Sequence, residues 1–257
     1  MIDCDVDDRG VAILTLQRGE KHNALSQALI DALHRTANDI AGRDDIRVVV
    51  LSASGKSFCA GGDLGWMQEQ MAGDIEMKRA AAKSIADMLS ALNTLPQPLI
   101  GRIQGNAFGG GVGLACVCDI VIAADHARFG LTETKLGLMP ATIGPYVLAR
   151  MGEAHARRVV MSSRIFDAQE AKDLGIVAQV VPQAKLDHAV AVEVDAFLQC
   201  APQAVAATKA YARSLGPVID ESVIARSIAA LIAQWEGKEA KEGISAFFAK
   251  RKPYWAV

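Results

Sequence analysis

Five apolar runs of four to six residues recur along the chain: Val11–Leu16, Ile46–Leu51, Leu99–Ile103, Ile120–Ala123 and Ile176–Val181. Helical patterns separate most of them, and this alternation constrains the fold more than any other feature. Strands joined through helices run mostly parallel in one sheet, with the helices covering it. Ser26 is placed to N-cap a helix carrying Leu29, Leu33, Ala37 and Ile40 at helical spacing. A longer helix spans 74 to 95 and is stopped by Pro96 and Pro98. Beyond Lys185 the strands cease, and three amphipathic segments follow: 185–200, 203–214 and 219–249, the last broken at Gly237. No Ser-, Gly- or Pro-rich linker sets this tail apart. Residues 1–184 therefore read as an α/β core, and 185–257 as a helical subdomain packed on it.

Composition narrows the function classes. Half of the 257 residues are hydrophobic (51%), which supplies a core and excludes a disordered chain. The 27 Lys and Arg nearly balance 29 Asp and Glu, so no broad field attracts nucleic acid or an anionic membrane. No apolar run reaches the roughly 18 residues of a bilayer span, and the first residues, Met1–Asp5, are acidic where a signal peptide is basic. A cytoplasmic location is expected. The five cysteines (Cys4, Cys59, Cys116, Cys118, Cys200) lack paired C-x2-C spacing, and the histidines form no metal motif. Buried reduced thiols and no metal are the expectation.

Two glycine-rich turns each follow a strand: Ser57–Leu64, containing Gly61-Gly62, and Gly105–Leu114, containing Gly109-Gly110-Gly111. Glycines there leave backbone N–H groups unshielded at the positive end of the following helix, a setting that suits anions. Nucleotide phosphate fails on spacing, because a loop ending in Gly55-Lys56-Ser57 needs glycine where Val50 stands. Dinucleotide binding fails too, since G-x-G-x-x-G from Gly109 or Gly111 needs glycine at Leu114 or Cys116. Two readings remain. Either the loops present a pair of donors to a carbonyl oxygen that gains charge, or the glycines merely permit tight turns and close packing.

Glu133 follows in Phe129–Gly137, among apolar and small residues. Held against apolar walls, its carboxyl has a raised pKa and exchanges protons near neutral pH. Facing water, it pairs with Lys135 instead. Cys59 has no neighbouring histidine and reads as packing, as do Cys116 and Cys118. Tyr146 reads as a core residue or, alternatively, a donor to substrate or water.

These residues resemble the enoyl-CoA hydratase/isomerase (crotonase) family over nearly the whole chain. The likeness rests on His22–Ser26, Phe58–Leu64, Gly105–Leu114 with Cys118–Ile120, and Phe129–Pro140. Asp167–Ala171, Leu174–Val177 and Glu242-Gly243 through Lys252-Pro253 extend it. It implies a spiral of repeated ββα units, with a C-terminal helical region that forms homotrimers, usually paired as hexamers. The implied reaction is enoyl-CoA hydration through an enolate, with coenzyme A carried by the substrate and no separate cofactor. By the resemblance, Gly62 and Gly110 N–H groups hold the thioester oxygen and Glu133 transfers protons. Lys21, Ala24, Ala60, Gly61, Asp63, Leu64 and Gly113 line the substrate site, and Lys250, from a neighbouring subunit, approaches the coenzyme.

Typical hydratases of the family carry a second glutamate where this chain has Gly113. That departure keeps open Δ3,Δ2-isomerisation by one glutamate, and a non-catalytic acyl-CoA binder. A narrower likeness, in Gly109–Leu114, Thr132–Leu138 and Pro140–Val147, is to a bacterial branch of methylglutaconyl-CoA and isohexenylglutaconyl-CoA hydratases. It implies a branched or dicarboxylic substrate, as in leucine breakdown.

Overall fold

A central parallel strand is covered on both faces, so the apolar Val48, Val49, Val50 and Leu51 are all buried and mark the centre of a sheet. The computed structural model describes residues 1–257. In chain order the first elements are β1 (Ile2–Val6), β2 (Val11–Leu16), α1 (Gln27–Ala41), β3 (Val48–Ala53) and β4 (Ser57–Cys59). Next come α2 (Leu64–Ala72), α3 (Ile75–Thr94), β5 (Leu99–Ile103), β6 (Asn106–Phe108) and α4 (Gly110–Val117). They are followed by β7 (Ile120–Ala124), β8 (Arg128–Gly130), a 3-10 turn at Glu133–Leu136, α5 (Gly144–Val160), β9 (Ile165–Asp167), α6 (Ala168–Asp173) and β10 (Gln179–Val181). Four helices close the chain: α7 (Leu186–Leu198), α8 (Pro202–Leu215), α9 (Glu221–Trp235) and α10 (Lys238–Phe248).

The strands form two sheets. The larger runs β1-β2-β3-β5-β7-β10, parallel except for the β1–β2 pair, and the smaller runs β4-β6-β8-β9. The unit of construction repeats three times: β3-β4, β5-β6 and β7-β8 each place one strand in the large sheet and the next in the small one, before the chain turns into helix. This is the spiral of ββα units implied by the sequence resemblance.

The helix boundaries agree closely with the sequence reading. Ser26 caps α1, accepting from the Leu29 N–H at 3.4 Å, and Gly237 separates α9 from α10. Two strands differ. β3 starts at Val48 rather than Ile46 because Val11 pairs with Val48, while the Arg47 N–H is taken by Gly10. β10 begins only at Gln179, because the N–H groups of Ile176 and Val177 both donate to Ala171. The strands of the small sheet escape the pattern, three residues being too few to show a period, and the five-residue β1, with Asp3 and Asp5, is not an apolar run.

One face of the large sheet packs on α1, α3, α4 and α5, and the other, through Val48, Val50, Ile100 and Ile122, packs on α7. A third apolar cluster joins Ala82 and Ala86 of α3 to Ile228, Leu231, Ile232 and Trp235 of α9 and to Ala240 and Ile244 of α10. α9 and α10 are thus packed on α3 of their own chain. No helix is long and apolar enough to cross a membrane.

Candidate active site

Three adjacent parallel strands of the small sheet deliver the site. β4 runs into Ala60-Gly61-Gly62, β6 into Gly109-Gly110, and β8 into the Glu133 turn, so their parallel pairing brings all three segments to one edge. The two glycine loops touch through their backbones. A Cβ on Gly61 (φ +91°) would stand 3.1 Å from the Phe108 carbonyl oxygen, and one on Gly111 only 2.3 Å from that of Cys59. Close approach, as well as dihedral freedom, therefore requires these glycines.

A third strand of chain locks the loops. Leu25 donates its N–H to Gly61 at 2.7 Å and accepts from the Asp63 N–H at 2.9 Å, while Ala60 donates to His22 at 3.0 Å. The Gly62 N–H is passed over by this pairing and meets no acceptor. Gly110 opens α4, so its N–H has no acceptor within the helix and sits at the positive dipole end. Two unpaired donors from separate loops thus stand beside each other.

The Glu133 carboxyl completes the edge. Its Oε1 lies 2.9 Å from where a Cβ on Gly109 would be, so glycine at 109 also makes room for the acid. Its Oε2 is closed from solvent and has no hydrogen-bond partner. Burial pushes the pKa from 4.5 up to about 7, partly opposed by the hydrogen bond from its own backbone. Lys135 is exposed and forms no ion pair, so the solvated reading of Glu133 does not hold. Glu133, Gly62 and Gly110 line one cavity of about 120 Å³, whose remaining walls are chiefly apolar: Leu25, Met67, Ile85, Leu138, Ile143 and Leu231, with Trp66 and Trp235.

The other expected residues fall around this centre. Lys21, Ala60 and Leu64 are exposed, Ala24 and Gly61 buried. Asp63 caps α2 through the N–H groups of Gly65 and Trp66 (2.9 and 3.2 Å) and accepts from Arg18 at 3.0 Å. Arg18 also donates to the Ala24 carbonyl at 2.7 Å. Both Asp63 oxygens are thereby engaged, which makes it the joint between the loops rather than a free ligand. Lys250 is exposed just past α10, without an ion-pair partner.

Gly113 is buried, and a Cβ there would meet Ile143 Cγ2 at 2.4 Å, so isoleucine fills the space a side chain would need. Tyr146 is buried but lines a different hollow, of about 620 Å³, between α5 and the end of α8. It does not reach the Glu133 cavity, in keeping with a packing residue.

Sequence reasoning missed Arg18 and Asn23. Asn23 is fully buried at φ +52°, donates to the carbonyls of Ser54 and Ser57 (2.8 and 2.9 Å) and accepts from the Arg18 N–H. Its place in a turn before the Ser26 cap is the one local signal that could have marked it.

All five cysteines are free, but Cys4 and Cys200 are exposed, correcting the expectation of uniformly buried thiols. Cys59, Cys116 and Cys118 are buried, and desolvation raises each to about 12. Iodoacetamide at pH 8 should therefore label Cys4 and Cys200 in the folded protein and leave the other three unmodified until denaturant is added, as read by peptide mass spectrometry.

With this geometry established, comparison with known proteins gives one consistent result. A family model described as enoyl-CoA hydratase/isomerase matches residues 7–257. The 2,3-dehydroadipyl-CoA hydratase of Escherichia coli K12 is 33% identical over 247 residues, covering 95% of this chain and 94% of that protein. The crystal structure of an enoyl-CoA hydratase from Shewanella pealeana superposes with a TM-score of 0.81 at 38% identity, over 99% of this chain and 95% of that one. An enoyl-CoA hydratase from Mycobacterium avium gives 0.86 at 30% identity, over 99% and 98%.

Proposed function

Since the chain belongs to the enoyl-CoA hydratase/isomerase family, we propose that it adds water across the 2,3 double bond of an enoyl-CoA thioester, with Glu133 as proton carrier and Gly62 and Gly110 as oxyanion donors. The observation that carries this reading is the Glu133 carboxyl, its Oε2 unpartnered, sharing one apolar cavity with both N–H groups.

The steps balance with one carboxyl group. The Glu133 carboxylate takes a proton from water as the water oxygen bonds to C3, and the electrons of the double bond move onto the thioester oxygen. The Gly62 and Gly110 N–H groups stabilise that charge without reorganising. Protonated Glu133 then gives its proton to C2, and the carbonyl reforms. A group near pKa 7 suits both halves, being base enough to take the proton and acid enough to return it.

Gly113 favours a second reading. No second carboxylate lines the cavity to hold water, and Ile143 occupies its place. Glu133 alone could remove a C2 proton from a 3-enoyl-CoA and return one to C4, which is isomerisation. Incubation with 2-enoyl- and 3-enoyl-CoA in deuterated water separates the two. A 3-hydroxyacyl-CoA carrying deuterium at C2 supports hydration, and a conjugated enoyl-CoA without hydroxyl supports isomerisation. Tight binding with no product from either would leave an acyl-CoA binder.

On the acyl group, the reading extends to a branched or dicarboxylic chain such as methylglutaconyl-CoA. In its favour, Trp66 and Trp235 both line the cavity, and both indole N–H groups are buried without an acceptor. An oxygen on the acyl tail would satisfy them. No lysine or arginine lines the same walls. Phenylalanine at either position should lower kcat/KM for an oxygen-bearing enoyl-CoA about tenfold while leaving an apolar one of equal length within twofold.

The same reading has the protein act in the cytoplasm as a homotrimer or a hexamer of two trimers. In favour of assembly, α8 buries none of its residues within the chain, and Tyr211 and Leu215 on it and Val218 just beyond it stand exposed. Sedimentation velocity reads the oligomer size directly.

A further inference from the structure

The Glu242-Gly243 motif lies on α10, outside the cavity, and the reaction as drawn gives it no part. Its position is nonetheless informative, because α10 packs directly on the turn that carries Glu133. A Cβ on Gly243 would stand 2.5 Å from the carbonyl carbon and oxygen of Leu136. A Cβ on Gly137 (φ +68°) would be within 2.7 Å of the main chain of Glu239 and Ala240. Each glycine removes the side chain that would hold the two backbones apart, so helix and turn meet main chain to main chain.

On this side the turn is also held by Leu136 and the following Leu138, which join the apolar cluster of α3, α9 and α10. Its own bonds close on themselves, with Leu138 donating to the Glu133 carbonyl at 3.0 Å and Gly137 to Thr134 at 3.2 Å. The far side is tied by the Thr134 hydroxyl, which meets Ser163 Oγ at 2.5 Å and the Met161 carbonyl at 3.2 Å. Ile244 and Ala240 then anchor α10 to the cluster shared with α3 and α9.

We infer that α10 is a positioning element for catalysis: the close packing of Gly137 on Glu239-Ala240 and of Gly243 on Leu136 presses the Glu133 turn against the Gly109 loop and holds the carboxyl in its dry orientation. This rests on the proposed role of Glu133. The charged groups around the turn are few. Lys135 on the turn is exposed, Glu239 meets it through its main chain, and no charged side chain contributes to the elevated Glu133 pKa. Letting water in is therefore the way a loosened clamp would act on the acid.

The test is Gly243→Ala in the full-length protein, read by the pH dependence of kcat/KM on an enoyl-CoA and by ¹³C-carboxyl titration of Glu133. The expected result is a fall of about tenfold or more in kcat with KM within twofold, and a Glu133 pKa moved from about 7 toward 4.5. Should that variant not fold, Ile244→Val loosens the same helix by one methyl and should shift the titration in the same direction. Ile228→Val, on α9 in the same cluster, is the matched control and should leave it unmoved. A folded Gly243→Ala or Ile244→Val protein with an unshifted Glu133 titration overturns the inference, even if its melting temperature falls. If the wild-type chain turns over no enoyl-CoA, the proposed reaction fails, and the carboxyl titration still decides the clamp.

Discussion

Glutamine in place of Glu133 should lower kcat by about 10²–10⁴-fold while leaving the affinity for an acyl-CoA ester within a few-fold. The amide keeps the size and polarity of the side chain but can neither take nor return a proton. Stability should move the other way. Glu133 titrates at about 7 in the folded chain against 4.5 for the ordinary group, so between those values the native state holds more proton than the unfolded one. Wild-type stability from this group therefore falls as pH rises from 4.5 to 7 and levels off above. Glu133→Gln escapes that penalty, and at pH 8 should be more stable by about 3 kcal/mol. At pH 4 the difference should vanish. Denaturant melts at both pH values check it, and a variant less stable at pH 8 than the wild type would contradict the burial argument.

The second large effect concerns the donors. Proline at position 110 deletes one N–H at the first position of α4, where proline is well tolerated by a helix. A Cβ there presses chiefly on the end of the Leu25 side chain, whose Cδ1 lies 2.5 Å away and can turn aside. Loss of one oxyanion donor should reduce kcat by about 10²–10³-fold with a small change in KM. A well-folded Gly110→Pro enzyme within threefold of wild-type kcat would remove Gly110 from the mechanism.

Much of this site was legible before the fold was known, and the reasons are local. Glycine pairs after strands, and a lone acid among apolar residues, are statements about backbone access and dielectric that sequence carries directly. Burial of Glu133 was not legible, because spacing alone allowed an equally simple pairing with Lys135. What decides it is the close approach of Gly109 and the apolar walls from α2, α3 and α9, which lie far apart in sequence.

Asn23 and Arg18 escaped for a related reason. Their work is to bond carbonyls and a carboxylate more than 30 residues away, such as Ser54, Ser57 and Asp63, and no local pattern announces such partners. The tail shows the same limit. Its three helical segments were evident from periodicity, but not that α9 folds back over the cavity of its own chain, with Leu231 and Trp235 forming part of the wall, while α10 packs on the Glu133 turn. The small sheet was invisible because its strands are three residues long, although their parallel order is what assembles the site.

The most direct test is a crystal structure with a 3-oxoacyl-CoA, whose enolate form mimics the charge that builds during the reaction. The thioester oxygen should lie about 2.7–3.1 Å from the nitrogens of both Gly62 and Gly110, with the Glu133 carboxyl in contact with C2. A thioester oxygen bonded elsewhere, or a Glu133 side chain swung out to solvent in the complex, would contradict enolate stabilisation at this site.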